Sequence, residues 1–96
     1  AKFYRNTALL NECFDKLGPW IASCHAKDLK WEVEMNLHFV EVGPGKGSMD
    51  YATYLRRLAA LPQAPPLMIE HLASADDYTQ AAKHIVAEGG KLGLEF

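Results

Sequence analysis

Apolar residues recur near the start of the chain at Leu9, Leu10, Cys13, Phe14 and Leu17. Their spacing of i, i+1, i+4, i+5 and i+8 is one stripe of a helix. Asn6 or Thr7 can cap its start, and Gly18 followed by Pro19 marks its end, because proline cannot continue the hydrogen-bond ladder. The short run from Trp20 to Ala26 has few polar groups, which predicts a buried strand. From Lys27 to Val42 neither period holds, although Leu37, Phe39 and Glu41 alternate with His38, Val40 and Val42, so a long loop with an extended piece is expected. The glycines of Gly43-Pro44-Gly45-Lys46-Gly47 predict irregular backbone, after which Asp50 caps a helix with Tyr51, Tyr54, Leu55, Leu58 and Leu61 on its buried face. Prolines 62, 65 and 66 break that helix, and Leu67 to Leu72 reads as a second apolar strand. Ser74 with Asp77 three residues on approximates a capping box. Tyr78, Ala81, Ala82, Ile85 and Val86 then form the stripe of a third helix ending at Gly89-Gly90.

The predicted order is therefore helix, strand, helix, strand, helix, with crossovers long enough for parallel strands. Strands apolar on both faces belong to a parallel sheet covered by helices, and two strands do not complete one. The expectation is an α/β chain whose residues 1–96 are one part of a larger single domain.

Composition narrows the function classes. Ten basic against twelve acidic residues give a net charge of −2, which argues against a nucleic-acid module. No apolar run approaches the roughly 20 residues of a membrane span. The first residues lack a basic start followed by an apolar stretch, so no leader is expected. Cys13 and Cys24 lack C-x-x-C spacing and read as reduced, packed thiols, with the cytoplasm as the expected compartment.

In parallel α/β folds reactive side chains stand at the carboxyl ends of strands, and the two predicted strands offer His25 and Glu70 there. Ile21, Ser23, His25 and Lys27 share one strand face, Met68 and Glu70 another. An imidazole and a carboxylate suit a mixed N/O site for manganese, magnesium, cobalt or zinc. Three motifs in order, His25-Ala26-Lys27-Asp28, Gly45-Lys46-Gly47-Ser48-Met49-Asp50-Tyr51 and Met68-Ile69-Glu70-His71, resemble the sugar phosphate isomerase/epimerase family, which has the xylose-isomerase-like TIM barrel. The resemblance implies that the chain is the C-terminal part of a (β/α)₈ barrel, a fold of about 250 residues when complete. It also implies one divalent metal ion, with His25 and Glu70 as two of its four ligands and the other two on strands upstream. A small sugar or sugar phosphate would be the substrate, and Glu70 the residue that moves a proton beside its carbonyl.

Other residues divide between site and scaffold. Lys27 is expected either to hold a substrate oxygen or, preferably, to pair with Asp28. Gly45 and Gly47 are expected to serve the turn into the helix, with Lys46 as a candidate contact to a substrate hydroxyl or phosphate. The segment is not a Walker loop, since Gly47 separates Lys46 from Ser48. Trp31 is a candidate wall of the sugar site, and Glu41 a rim carboxylate. His38 and His84 are expected on the surface or in packing, and His71 to point away from the barrel interior, toward the helices. Trp20, Tyr51, Tyr54 and Tyr78 fit core or rim packing. An endonuclease IV-like phosphodiesterase is the alternative enzyme, but the Asp-x-His it needs does not occur between Asp28 and Gly43. The competing class is a non-catalytic, self-associating piece.

Overall fold

The computed structural model describes residues 6–33 and 37–94, with those at 31–33 and 37–39 described by their backbone. Its order is α1 (Asn6–Leu17), a 3₁₀ turn (Gly18–Trp20), β1 (Cys24–Ala26), β2 (Asp28–Val33), β3 (Leu37–Val42), α2 (Tyr51–Ala59), β4 (Leu67–Ile69) and α3 (Ala75–Lys91). The chain is mixed α/β. β1 and β4 pair in parallel, with His25 opposite Met68 and Ala26 opposite Ile69, and α2 lies on the connection between them.

The predicted irregular stretch from Lys27 is instead an antiparallel hairpin, in which Asp28 faces Val42 and Leu29 faces Glu41. A hairpin needs no two-residue period in its sequence where the ladder itself satisfies the backbone, which is why the pattern hid β2. It stands between the end of β1 and the start of α2, on the carboxyl side of the parallel pair.

α2 is the centre of the core. Its Tyr51, Tyr54, Leu55 and Leu58 are buried and pack with Phe14 of α1, Ala26 of β1 and Ile85 of α3. Asp50 caps it by accepting from the Thr53 amide at 3.0 Å. Arg57 ties α2 to α1, donating to Asn11 at 3.0 Å and to Asp15 at 2.5 Å while its guanidinium stands 5.7 Å from the Phe14 ring centre. Cys24 and Leu67 face the same core, as do Ala26 and Ile69.

Several expectations change. α1 buries only Phe14 of its apolar stripe, with Leu10 half-buried and Leu9, Cys13 and Leu17 exposed. Both cysteines are free, but Cys13 is not the packed thiol expected. Trp20 is 78% exposed rather than packed. α3 buries the narrower row Ala81, Ile85 and Gly89, leaving Tyr78, Ala82 and Val86 outside. It also runs through Gly89-Gly90 and ends at Lys91, after which Gly93 takes φ +76° and the Leu94 amide donates to the Gly89 carbonyl at 2.8 Å. The stop requires a left-handed residue followed by an apolar anchor, and Leu92 and Leu94, packed on the core, place that closure after the glycine pair.

Among the described residues the parallel pair is covered on one face only. Its other face carries His25 and Met68, the latter 45% exposed, so the two-sided burial read from the strands' apolar content holds for one side.

Candidate functional site

β1 alternates, so with Cys24 and Ala26 turned to the core, His25 projects from the open face, and Lys27 follows on the same side. Their backbone is held from behind. The Tyr54 hydroxyl donates to the His25 carbonyl at 3.1 Å and the Tyr51 hydroxyl to the Lys27 carbonyl at 2.6 Å. Burial raises the pKa of both phenols, with the Asp28 charge adding to the effect on Tyr51, so both remain donors at neutral pH. The tyrosines expected to pack thus also fix the end of the strand that carries the candidate ligand.

At the end of β4 the Glu70 carboxylate meets both β1 side chains. His25 Nδ1 lies 2.7 Å from Glu70 Oε1, and Lys27 Nζ lies 2.9 Å from the same oxygen. The Lys27 hydrogen bond, followed by that from His25, holds the Glu70 carboxyl down at about 2. The Glu70 carboxylate in turn raises Lys27, which keeps its ammonium charged and unsuited to act as a neutral nucleophile.

Two more side chains join. Glu41, from the hairpin strand β3, places Oε1 3.6 Å from Lys27 Nζ and 3.3 Å from His71 Nδ1. His71 accepts from Lys27 at 3.0 Å, which reverses the expectation that it turns toward the helices. Strict strand alternation would send it there, but the strand ends at Ile69 and His71 takes φ +61°, which swings its ring back to the Glu70 side. Neither Glu41 nor His71 could be placed in the cluster from sequence, because both depend on where the backbone leaves its ladder.

The preferred Lys27–Asp28 ion pair does not form. Asp28 is 2% exposed, and its carboxylate accepts from the amides of Leu29 (2.9 Å), Gly45 (3.0 Å), Gly47 (3.0 Å) and Met49 (2.9 Å). A buried carboxylate needs such partners, and the glycine turn supplies them without a second charge. The turn therefore wraps on Asp28. A Cβ at Gly47 would stand 2.2 Å from the Leu29 carbonyl oxygen, and Gly45 has φ +90° with the His84 ring beneath it. His84 packs edge-on against Tyr51 at 5.6 Å, the packing role expected for it.

Lys46 extends from this turn toward α3, with Nζ 4.0 Å from Asp77 Oδ1. It lines a cleft of about 270 Å³ that begins at Glu41 and His71, so it adjoins the cluster without joining it. The side chains of Trp31 and His38 lie outside the described residues, and the expectation for Trp31 as a wall of the site falls there with them.

His25 and Glu70 bring one imidazole nitrogen and one carboxylate oxygen together, and that oxygen is shared with the Lys27 ammonium. Among the described residues no three His, Cys, Asp or Glu side chains form a ready-made metal shell, and none of the helices is long and apolar enough to cross a membrane. Compared with family models, curated proteins and solved structures, the chain matches none.

Proposed function

We propose that the chain is the C-terminal part of a xylose-isomerase-like (β/α)₈ barrel and that its site serves a divalent-metal-dependent isomerase or epimerase of small sugars. The observation that carries this is the meeting of His25 and Glu70 at 2.7 Å, side by side at the carboxyl ends of adjacent parallel strands. The uncovered face of that pair and its two-strand extent fit strands supplied by further chain around a barrel interior. The free thiols suit a cytoplasmic setting.

His25 and Glu70 would hold the metal, which supplies positive charge to polarise the substrate's carbonyl and neighbouring hydroxyl. The remaining work belongs to the side chains. With its pKa near 2, the Glu70 carboxylate is stabilised as an anion, which favours ligation. It becomes an effective base only when Lys27 turns off its oxygen, for instance onto Glu41, already 3.6 Å away, or onto a substrate hydroxyl. Glu70 would then take the proton from the hydroxyl-bearing carbon beside the carbonyl, leaving an enediolate. His71 and Glu41 stand where hydroxyls further along the substrate can be held.

The test uses the complete protein. Replacing His25 or Glu70 with Ala is expected to lower bound manganese by at least about tenfold. Glu70→Gln is expected to retain more metal than Glu70→Ala while losing about 10²–10⁴-fold in turnover, with exchange of solvent deuterium into the substrate carbon falling in parallel. Unchanged metal content in both alanine variants overturns the metal site, and exchange at the parent rate in Glu70→Gln moves the base to another residue.

A further inference from the structure

One cation already sits among the carboxylates of the cluster, and the chain itself supplies it. Lys27 Nζ lies 2.9 Å from Glu70 Oε1, 3.0 Å from His71 Nδ1 and 3.6 Å from Glu41 Oε1. The same Glu70 oxygen takes His25 Nδ1 at 2.7 Å. A carboxylate oxygen offers about two acceptor sites, and on this one both are engaged. Ligation of a divalent ion by this oxygen together with His25 therefore needs the ammonium to leave. Charge works in the same direction, since two cations about 4 Å apart repel enough to change affinity roughly fivefold even in a water-like medium.

Lys27 has a second place to go. Its side chain is half-buried and carries its charge on a flexible four-carbon stem, so it can turn without disturbing the core. It need surrender only Glu70, because Glu41 and His71 lie 3.3 Å from each other and stay as its partners. Glu41 belongs to the β2–β3 hairpin and Glu70 follows β4, so the ammonium stands between two elements of the fold.

We propose that Lys27 is a built-in competitor for the metal position, holding Glu70 while no divalent ion is bound and retreating onto Glu41 and His71 when one is. The inference rests on the reading of His25 and Glu70 as metal ligands and adds the regulation of that site. Glu41 thereby sets metal affinity from the hairpin without ligating the ion. In the metal-free state the two carboxylates share one ammonium rather than repel each other.

The experiment measures manganese affinity from the electron paramagnetic resonance of the free ion, using the complete protein, its Lys27→Met and Glu41→Gln variants and the double variant. Lys27→Met is expected to bind manganese at least about fivefold tighter than the parent. Glu41→Gln is expected to bind it about threefold weaker, because the retreating ammonium has lost its carboxylate, and to change affinity less than about twofold in the Lys27→Met background. In the parent with isotope-labelled lysine side chains, the Lys27 Nζ resonance is expected to move as magnesium saturates the site. Equal manganese binding by the parent and Lys27→Met, or a Lys27 Nζ resonance that magnesium leaves in place, overturns the competition and leaves the metal reading standing. An equal loss from Glu41→Gln in both backgrounds assigns the effect to summed charge and overturns the retreat onto Glu41. Manganese bound by neither the parent nor Lys27→Met removes the metal reading and this inference with it.

Discussion

Asp28 illustrates how one side chain organises a site it never enters. Its four amide partners come from β2 and the glycine turn, so it joins the end of β1 to the segment that leads into α2. Asn in its place turns an NH₂ group toward amide donors. Asp28→Asn is therefore expected to cost about 3 kcal/mol, read as a lower urea midpoint at unchanged slope. Glu70 makes a prediction through pH. Its carboxyl is held at about 2 in the folded chain against an ordinary 4.5, so the folded state binds that proton less readily than the unfolded one. The stabilisation is complete above about pH 4.5 and drains away as pH falls toward 2. Glu70→Gln should flatten the urea midpoint over that window, and an equally steep decline in the variant would assign it to other groups. At this scale strand alternation put His25 and Lys27 on one face of the first strand, where the structure brings them to Glu70, because alternation is local. Sequence reading missed His71 and Glu41, whose positions depend on a left-handed residue and on a hairpin, and it paired Asp28 with the wrong partner because backbone amides carry no sequence signature.

Among the elements, α2 was the most legible: its cap at Asp50 and its buried Tyr51, Tyr54, Leu55 and Leu58 follow from residue types, but the helix ends at Ala59, so Leu61, expected on its buried face, lies half-buried beyond its end. The glycine turn was legible as irregular backbone but not as a cradle. Its requirement differs between positions, since Gly45 needs its positive φ whereas Gly47 needs the absence of a Cβ against the Leu29 carbonyl and Asp28. Gly47→Ala is accordingly expected to destabilise the chain by about 2–3 kcal/mol through overpacking, measured as a fall in urea midpoint. It should also weaken amide protection at Gly45 and Met49, which share the same carboxylate. A variant as stable as the parent would show that the turn can move off Asp28. The hairpin and the true end of α3 escaped the sequence for a common reason: each is decided by hydrogen bonds and packing between residues distant in the pattern, the strand ladder in one case and the Leu92 and Leu94 anchors in the other.

For the whole molecule the described surface is unusual in what it leaves open. The parallel pair exposes Met68 beside His25, and Leu9, Leu17 and Trp20 stand out from α1 and its turn. Unpaired strand edges and apolar side chains favour association, so the isolated chain is expected to sediment as a dimer or larger and to melt at a temperature that rises with protein concentration. A well-folded monomer with a sharp, concentration-independent transition would contradict this. The sequence by itself determined the mixed α/β class, α2 and the strand ends bearing His25 and Glu70, because period, caps and alternation are properties of neighbours along the chain. Only the tertiary structure decided that Glu70 is held by Lys27 and His25 at once, that Asp28 serves the turn, that Glu41 and His71 complete the cluster, and that one sheet face stays open. Those facts depend on which distant backbone groups satisfy one another, and a one-dimensional pattern does not carry that information.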